Sequence, residues 1–212
     1  MNVILEQLGR CGIVPVVVLN DADRALPLAK ALCDGGLPCA EVTFRTAAAP
    51  KAIEIMTENF PDMLVGAGTV LTPQQAAQAR SAGAKFIVSP GFNPRVVTYC
   101  LENEIPVTPG VMTPSEMELA MEMGLDVVKF FPAEPAGGLP FIKAVAAPYT
   151  RLRFMPTGGI HPGNVREYLK YDRILACGGS WMVGAGLIDG GCFDQITELT
   201  KEAVAIVREI RG

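Results

Sequence analysis

Eight short β-rich runs, interleaved with helix-like segments, constrain what this chain can fold into more than any other feature. They are "GIVPVVVL" (12–19), "CAEVTF" (39–44), "LVGAGTV" (64–70), "KFIVSP" (85–90), "IPVTPG" (105–110), "DVVKFFP" (126–132), "RFMPTG" (153–158) and "RILACGG" (173–179). Their starts lie 20 to 27 residues apart. That spacing leaves room for one helix and two brief loops after each strand, the repeat of a parallel βα unit. The segments between them carry helix signals. "DADRALPLAKALCDGG" (21–36) opens on an Asp cap and closes on Gly35 and Gly36. "TPQQAAQARSAG" (72–83) and "TPSEMELAMEMG" (113–124) each place Thr at the N-cap, Pro at the first helical position and Gly at the end. "NPRVVTYCLENE" (93–104) opens in the same way, and a last helix is predicted over 193–210. There Phe193, Ile196, Leu199, Ala203 and Ile206 or Val207 recur at helical spacing.

Eight strands, each followed by a helix and with no linker, predict one closed parallel (β/α)8 TIM barrel spanning 1–212, near the short end for that fold. Residues 2–11 add an N-terminal helix that covers the barrel bottom. The rival is an open, doubly wound sheet. Its first βα turn, "VVVLNDADRA", lacks the glycine fingerprint of a dinucleotide site.

Composition fits strands covered on both faces: half of the residues are hydrophobic and 19% are charged. A net charge of −4 gives no footprint for nucleic acid or an acidic membrane surface. No apolar run approaches the roughly 18 residues of a membrane span. The start, "MNVILEQLGRCG", has neither the basic nor the long apolar region of a secretion signal. Cys11, Cys33, Cys39, Cys100, Cys177 and Cys192 include no C-x-x-C pair. Buried, reduced thiols and a cytoplasmic location are therefore expected.

Polar residues on the strands carry the chemistry. In a barrel, alternate strand residues face the interior and the helices. In "CAEVTFR", Ala40, Val42 and Phe44 suit the helix side, so Glu41, Thr43 and Arg45 face inward. In "DVVKFFP", Val128 and Phe130 face helices, so Val127, Lys129 and Phe131 face inward. Lys129 thus shares the interior with Glu41 and Arg45. A structural ion pair is the plainer reading. A position towards the C-terminal ends of the strands, where barrel active sites lie, favours a functional one. Burial and Arg45 would disfavour the ammonium form of Lys129, whereas a carboxylate would favour it. A neutral amine is what a Schiff-base nucleophile needs.

Two glycine-rich segments, "PTGGIHPGN" (156–164) and "ACGGSWMVG" (176–184), close strands seven and eight. That is where such barrels bind phosphate through backbone N–H groups. His161, the one histidine, reads as a loop residue. A single histidine excludes a multi-histidine metal site, and no Ser-His-Asp triad is evident. Met117, Met121 and Met123 read as packing residues, and Trp181 is given no role.

Along the whole chain the segments "VPVVV", "EVTFRT", "VGAGTVLTPQQ", "FIVSPGFNP", "TPGVMTPSE", "VVKFFPAE", "MPTGGI" and "CGGSW" resemble, in order and spacing, the bacterial 2-keto-3-deoxy-6-phosphogluconate / 4-hydroxy-2-oxoglutarate aldolase family. The resemblance implies a class I aldolase of the Entner–Doudoroff pathway that needs no metal or other cofactor. It makes Lys129 the Schiff-base residue and Glu41 the proton-transfer group. Arg45 and Thr69 would hold the pyruvate carboxylate, with Pro90 and Phe131 lining the pyruvate pocket. Thr157 would contact substrate hydroxyls, and Gly158, Gly159, Gly179 and Ser180 would cradle the 6-phosphate. A homotrimer is also implied. The alternatives are a 2-keto-3-deoxy-6-phosphogalactonate aldolase, a sugar-phosphate epimerase or isomerase on the same barrel, and a non-catalytic phosphometabolite-binding protein. Intact Lys129, Glu41 and Arg45 argue against the last of these.

Overall fold

A computed structural model describes residues 2–212. Eight parallel strands follow one another around a barrel. We number them β1 (Ile13–Val17), β2 (Cys39–Thr43), β3 (Leu64–Gly68), β4 (Ile87–Val88), β5 (Val107–Thr108 continuing as Gly110–Val111), β6 (Val127–Phe130), β7 (Arg153–Pro156) and β8 (Cys177–Gly179). Each pairs with its neighbour in sequence, and β8 pairs with β1 through Ile13↔Cys177 and Pro15↔Gly179. The single bridges Phe154↔Ile174 and Thr157↔Gly178 join β7 to β8 and complete the ring. The open-sheet alternative is thereby removed.

Several strands are shorter than their apolar runs suggest, and proline is the reason. Pro90 closes the fourth run, two residues past the end of β4, and Pro106 and Pro109 remove two donors from the fifth. The carbonyls of those two prolines still accept, Pro106 from Ile87 N–H at 2.8 Å and Pro109 from Lys129 N–H at 2.9 Å. At Pro109, β5 therefore changes partner, from β4 before it to β6 after it.

Around the barrel run α1 (Val3–Cys11), α2 (Ala25–Asp34), α3 (Ala49–Asn59), α4 (Pro73–Ser81), α5 (Pro94–Glu102), α6 (Pro114–Glu122), α7 (Gly138–Ala146), α8 (Val165–Leu169), α9 (Ala185–Asp189) and α10 (Phe193–Arg211). The predicted caps are formed. Thr72 accepts from Gln75 N–H at 3.2 Å and Asn93 from Arg95 N–H at 3.0 Å. Thr113 and Glu116 form a reciprocal capping box. Asp21 caps a single 3-10 turn, Ala22–Arg24, that leads into α2. The helix α3 starts at Ala48 and α7 at the left-handed Gly137, neither with a side-chain cap.

The first helix packs under the barrel, with Leu5 and Leu8 buried. Gly12, at φ 68, stops it and turns the chain into β1. The last helix closes the same end: the Arg211 guanidinium donates to the carbonyls of Gly9, Ile174 and Leu175 at 2.7–3.1 Å. Among the described residues no helix is long and apolar enough to cross a membrane.

All six cysteines are free. Cys39, Cys100 and Cys177 are buried as expected, Cys11 and Cys33 are half-buried, and Cys192 is exposed in the turn before α10. Burial pushes the thiols of Cys100 and Cys177 up to about 12. The hydrogen bond with Cys11, together with burial, pushes Cys39 well up. At pH 8 a disulfide reagent such as Ellman's is therefore expected to label Cys192 first. Cys39, Cys100 and Cys177 should react only after unfolding, and peptide mapping that finds any of them among the fast thiols of the folded protein contradicts this packing.

Candidate active site

Strand parity delivers the predicted pairing. Phe130 points outward, its ring 5.7 Å from that of Phe141 on α7, so Lys129 points inward. Its Nζ lies 3.4 Å from Glu41 Oε1, and the two side chains are 6% and 2% exposed. Two charges so dry are costly unless paired. Here a carboxylate stands where it can exchange a proton with the amine. The ring of Phe131 lies beneath the same nitrogen, 5.2 Å from its centroid.

Room for the carboxylate comes from a missing side chain. Gly68 ends β3, and a Cβ there would overlap Glu41 Oε1. Gly178 does the same for Thr157, since a Cβ on it would overlap Thr157 Oγ1. Gly110, paired with Lys129, leaves space for the carbonyl of Pro90. A glycine inside a strand reads in sequence as a weakness, and these three roles were not predicted.

At the mouth, Arg45 Nε donates to Thr69 Oγ1 at 3.3 Å. Thr69 sits at φ 54, in the left-handed region that a β-branched residue seldom enters. An outlier of this kind is characteristic of a functional site. Arg45 is exposed and Thr69 half-buried, so a guanidinium with free donors faces the opening.

Arg45, Phe131, Thr157, Gly158, Gly159 and Ser180 line one cleft of about 340 Å3 at the C-terminal ends of the strands. Lys129 and Glu41 lie deeper, behind Phe131. Pro90 packs beside β5, and Gly179 lies within β8, covered by the ring of Trp181. Neither is on the wall of the cleft. His161 is exposed, and its Nδ1 accepts from Gly163 N–H at 3.1 Å, as a loop residue would. Among the described residues no three His, Cys, Asp or Glu side chains cluster as metal ligands. A larger hollow of about 770 Å3 lies at the opposite end, between α1 and α10.

The profile of the "KDPG and KHG aldolase" family matches residues 4–199. The chain belongs to that family. A 2-dehydro-3-deoxy-phosphogluconate aldolase of Treponema pallidum is 53% identical over 207 residues, covering 98% of this chain and 99% of the relative. The 2-keto-3-deoxy-6-phosphogluconate aldolase of Zymomonas mobilis, solved with 3-phosphoglycerate, superposes at TM-score 0.89. It is 42% identical and covers 95% of each chain. The KDPG aldolase of Legionella pneumophila superposes at 0.91 and is 40% identical, covering 94% of this chain and 97% of that one. It was captured with pyruvate as a covalent carbinolamine.

Gly68 has no room for a side chain while Glu41 keeps its position. Gly68→Ala must push Glu41 aside, and displacement of a reacting group by about 1 Å costs on the order of 10²-fold in rate. A fall in kcat of about that size, with an unchanged circular dichroism spectrum, is expected. Wild-type turnover would show that Glu41 does not need this position.

Proposed function

We propose that this protein is a class I aldolase that cleaves 2-keto-3-deoxy-6-phosphogluconate to pyruvate and glyceraldehyde 3-phosphate, and 4-hydroxy-2-oxoglutarate to pyruvate and glyoxylate. The observation that carries the reading is the buried pair of Lys129 and Glu41, 3.4 Å apart inside the barrel. The covalent carbinolamine in the Legionella relative supports it, because a carbinolamine is what an amine and a ketone form first.

Glu41 takes a proton from Lys129, whose neutral amine adds to the C2 ketone; Glu41 then returns that proton to the carbinolamine hydroxyl, which leaves as water to give an iminium. That cation takes up the electron pair of the C3–C4 bond as it breaks. Glu41, directly or through one water, accepts the C4 hydroxyl proton, and the aldehyde leaves. The remaining enamine is protonated at C3 by the same carboxyl group. Hydrolysis then frees pyruvate and restores the amine. Arg45 pairs with the substrate carboxylate, helped by Thr69, while Pro90 and Phe131 enclose the pyruvate methyl end. Thr157 meets the substrate hydroxyls. Gly158, Gly159 and Ser180, which line the cleft, receive the phosphate through N–H groups and one hydroxyl, and Gly179, covered by Trp181, stands behind them. The phosphoglycerate held by the Zymomonas relative supports a phosphate end to the family's site. A phosphogalactonate substrate or an epimerase reaction has no comparable support. We also assign a homotrimer in the cytoplasm, on the strength of the family resemblance.

Incubation with pyruvate, reduction with borohydride and mapping by mass spectrometry tests the chemistry. The adduct is expected on Lys129 alone and absent from Lys129→Ala, which keeps a folded circular dichroism spectrum and loses turnover. An adduct on another lysine, or none, overturns the mechanism.

A further inference from the structure

The loop after β7 is fastened to the loop after β6 beyond the barrel pairing. Ala133 N–H donates to Thr157 O at 2.8 Å, and Glu134 N–H donates to Gly158 O at 3.0 Å. The Glu134 side chain then runs along Gly159, where an added Cβ would come within 2.6 Å of Glu134 Cβ. At its far end, Glu134 Oε1 accepts a short hydrogen bond from the Tyr168 hydroxyl. Tyr168 is buried on α8, the helix into which the same loop leads. Gly138 leaves room for the pair: a Cβ there would lie 3.0 Å from Glu134 Oε1 and 3.2 Å from the Tyr168 oxygen. On the loop's other side, Asn164 Nδ2 donates to Gly159 O at 2.9 Å.

The direction of this carboxylate matters electrically. Glu134 as a residue is exposed, and its stem lies against one of the two glycines that line the cleft. Turned towards those amides, it would compete for their N–H groups and repel a phosphate dianion. Held by Tyr168, it does not line the cleft. Burial, and then the neighbouring carboxylate, push the tyrosine hydroxyl up and keep it a donor across the physiological range.

We infer that Tyr168 and Glu134 form a positioning pair for the phosphate end of the substrate: the hydroxyl holds the carboxylate off the Gly158–Gly159 cradle while the Glu134 backbone fixes that loop. The pair touches no reacting atom. The inference rests on the glycine cradle proposed above, and the test separates the two ideas. Tyr168→Phe removes one oxygen and leaves the packing of the ring intact.

Steady-state kinetics should be measured on the phosphorylated substrate and on 4-hydroxy-2-oxoglutarate, which lacks the phosphate. In Tyr168→Phe, KM for the phosphorylated substrate is expected to rise about tenfold, since hydrogen bonds to charged groups are worth that much or more. Its kcat, and both constants for 4-hydroxy-2-oxoglutarate, should stay within about twofold. Adding Glu134→Gln removes the charge and should bring KM back towards wild type. An equal loss on both substrates, or no rescue in the double variant, overturns the pair. A wild-type preference for phosphate that persists unchanged in Tyr168→Phe overturns the pair alone. A wild-type protein with no such preference overturns the cradle, and the pair with it.

Discussion

A lysine and a glutamate buried together in the middle of a barrel set the terms for everything around them. Neither charge is tolerable there alone, and breaking such a pair by removing one partner typically costs about 3–5 kcal/mol. The two residues are 88 positions apart and belong to strands that are not neighbours in the ring. Only a closed barrel brings them face to face. The ring closes at two seams, the single bridges between β7 and β8 and the split fifth strand. There Pro109 withdraws a donor, yet its carbonyl still holds the backbone N–H of Lys129 itself. The seam at the fifth strand is thus fastened at Lys129 itself.

Much of this was legible in the order of residues. The Thr-Pro and Asn-Pro openings located α4, α5 and α6, because the cap oxygen and the proline act within four residues. Parity placed Lys129 and Glu41 on the same side because side chains alternate strictly along a strand. The uncapped starts of α3 and α7 left a weaker local signal: Ala48 offers no side-chain acceptor and only Pro50 marks the first turn of α3, while Gly137 acts through its backbone angle. The true extents of β4 and β5 depended on donors lost to proline in neighbouring runs. Gly68 and Gly178 were opaque for a different reason. Their function is the space they leave for residues elsewhere in sequence, which no local pattern encodes. The roles expected for Arg45, Thr69 and the glycine-rich strand ends came from resemblance, and the structure adds one cleft shared by Arg45, Thr157, Gly158, Gly159 and Ser180, with Thr69 bonded to Arg45 at its edge.

The site divides into two ends with different supports. At the lysine end, rigid strands hold the groups, and glycines supply clearance for them. At the Gly158–Gly159 end the holders are loops, fixed by backbone hydrogen bonds between successive βα turns and by side chains such as Asn164. The first arrangement suits chemistry that needs sub-ångström placement. The second suits recognition of a charged group through several N–H donors, where small adjustments of a loop are harmless.

The backbone of Thr69 carries a further consequence. A β-branched residue held at positive φ costs on the order of 1–3 kcal/mol, from a total margin that for such domains is about 5–15 kcal/mol. The fold tolerates that loss to aim one hydroxyl at Arg45. A glycine in its place would relax the chain and lose the hydroxyl. Anyone breeding this protein for heat resistance alone would find that substitution attractive, and would be selecting a sturdier molecule whose Arg45 had lost the hydroxyl that holds it.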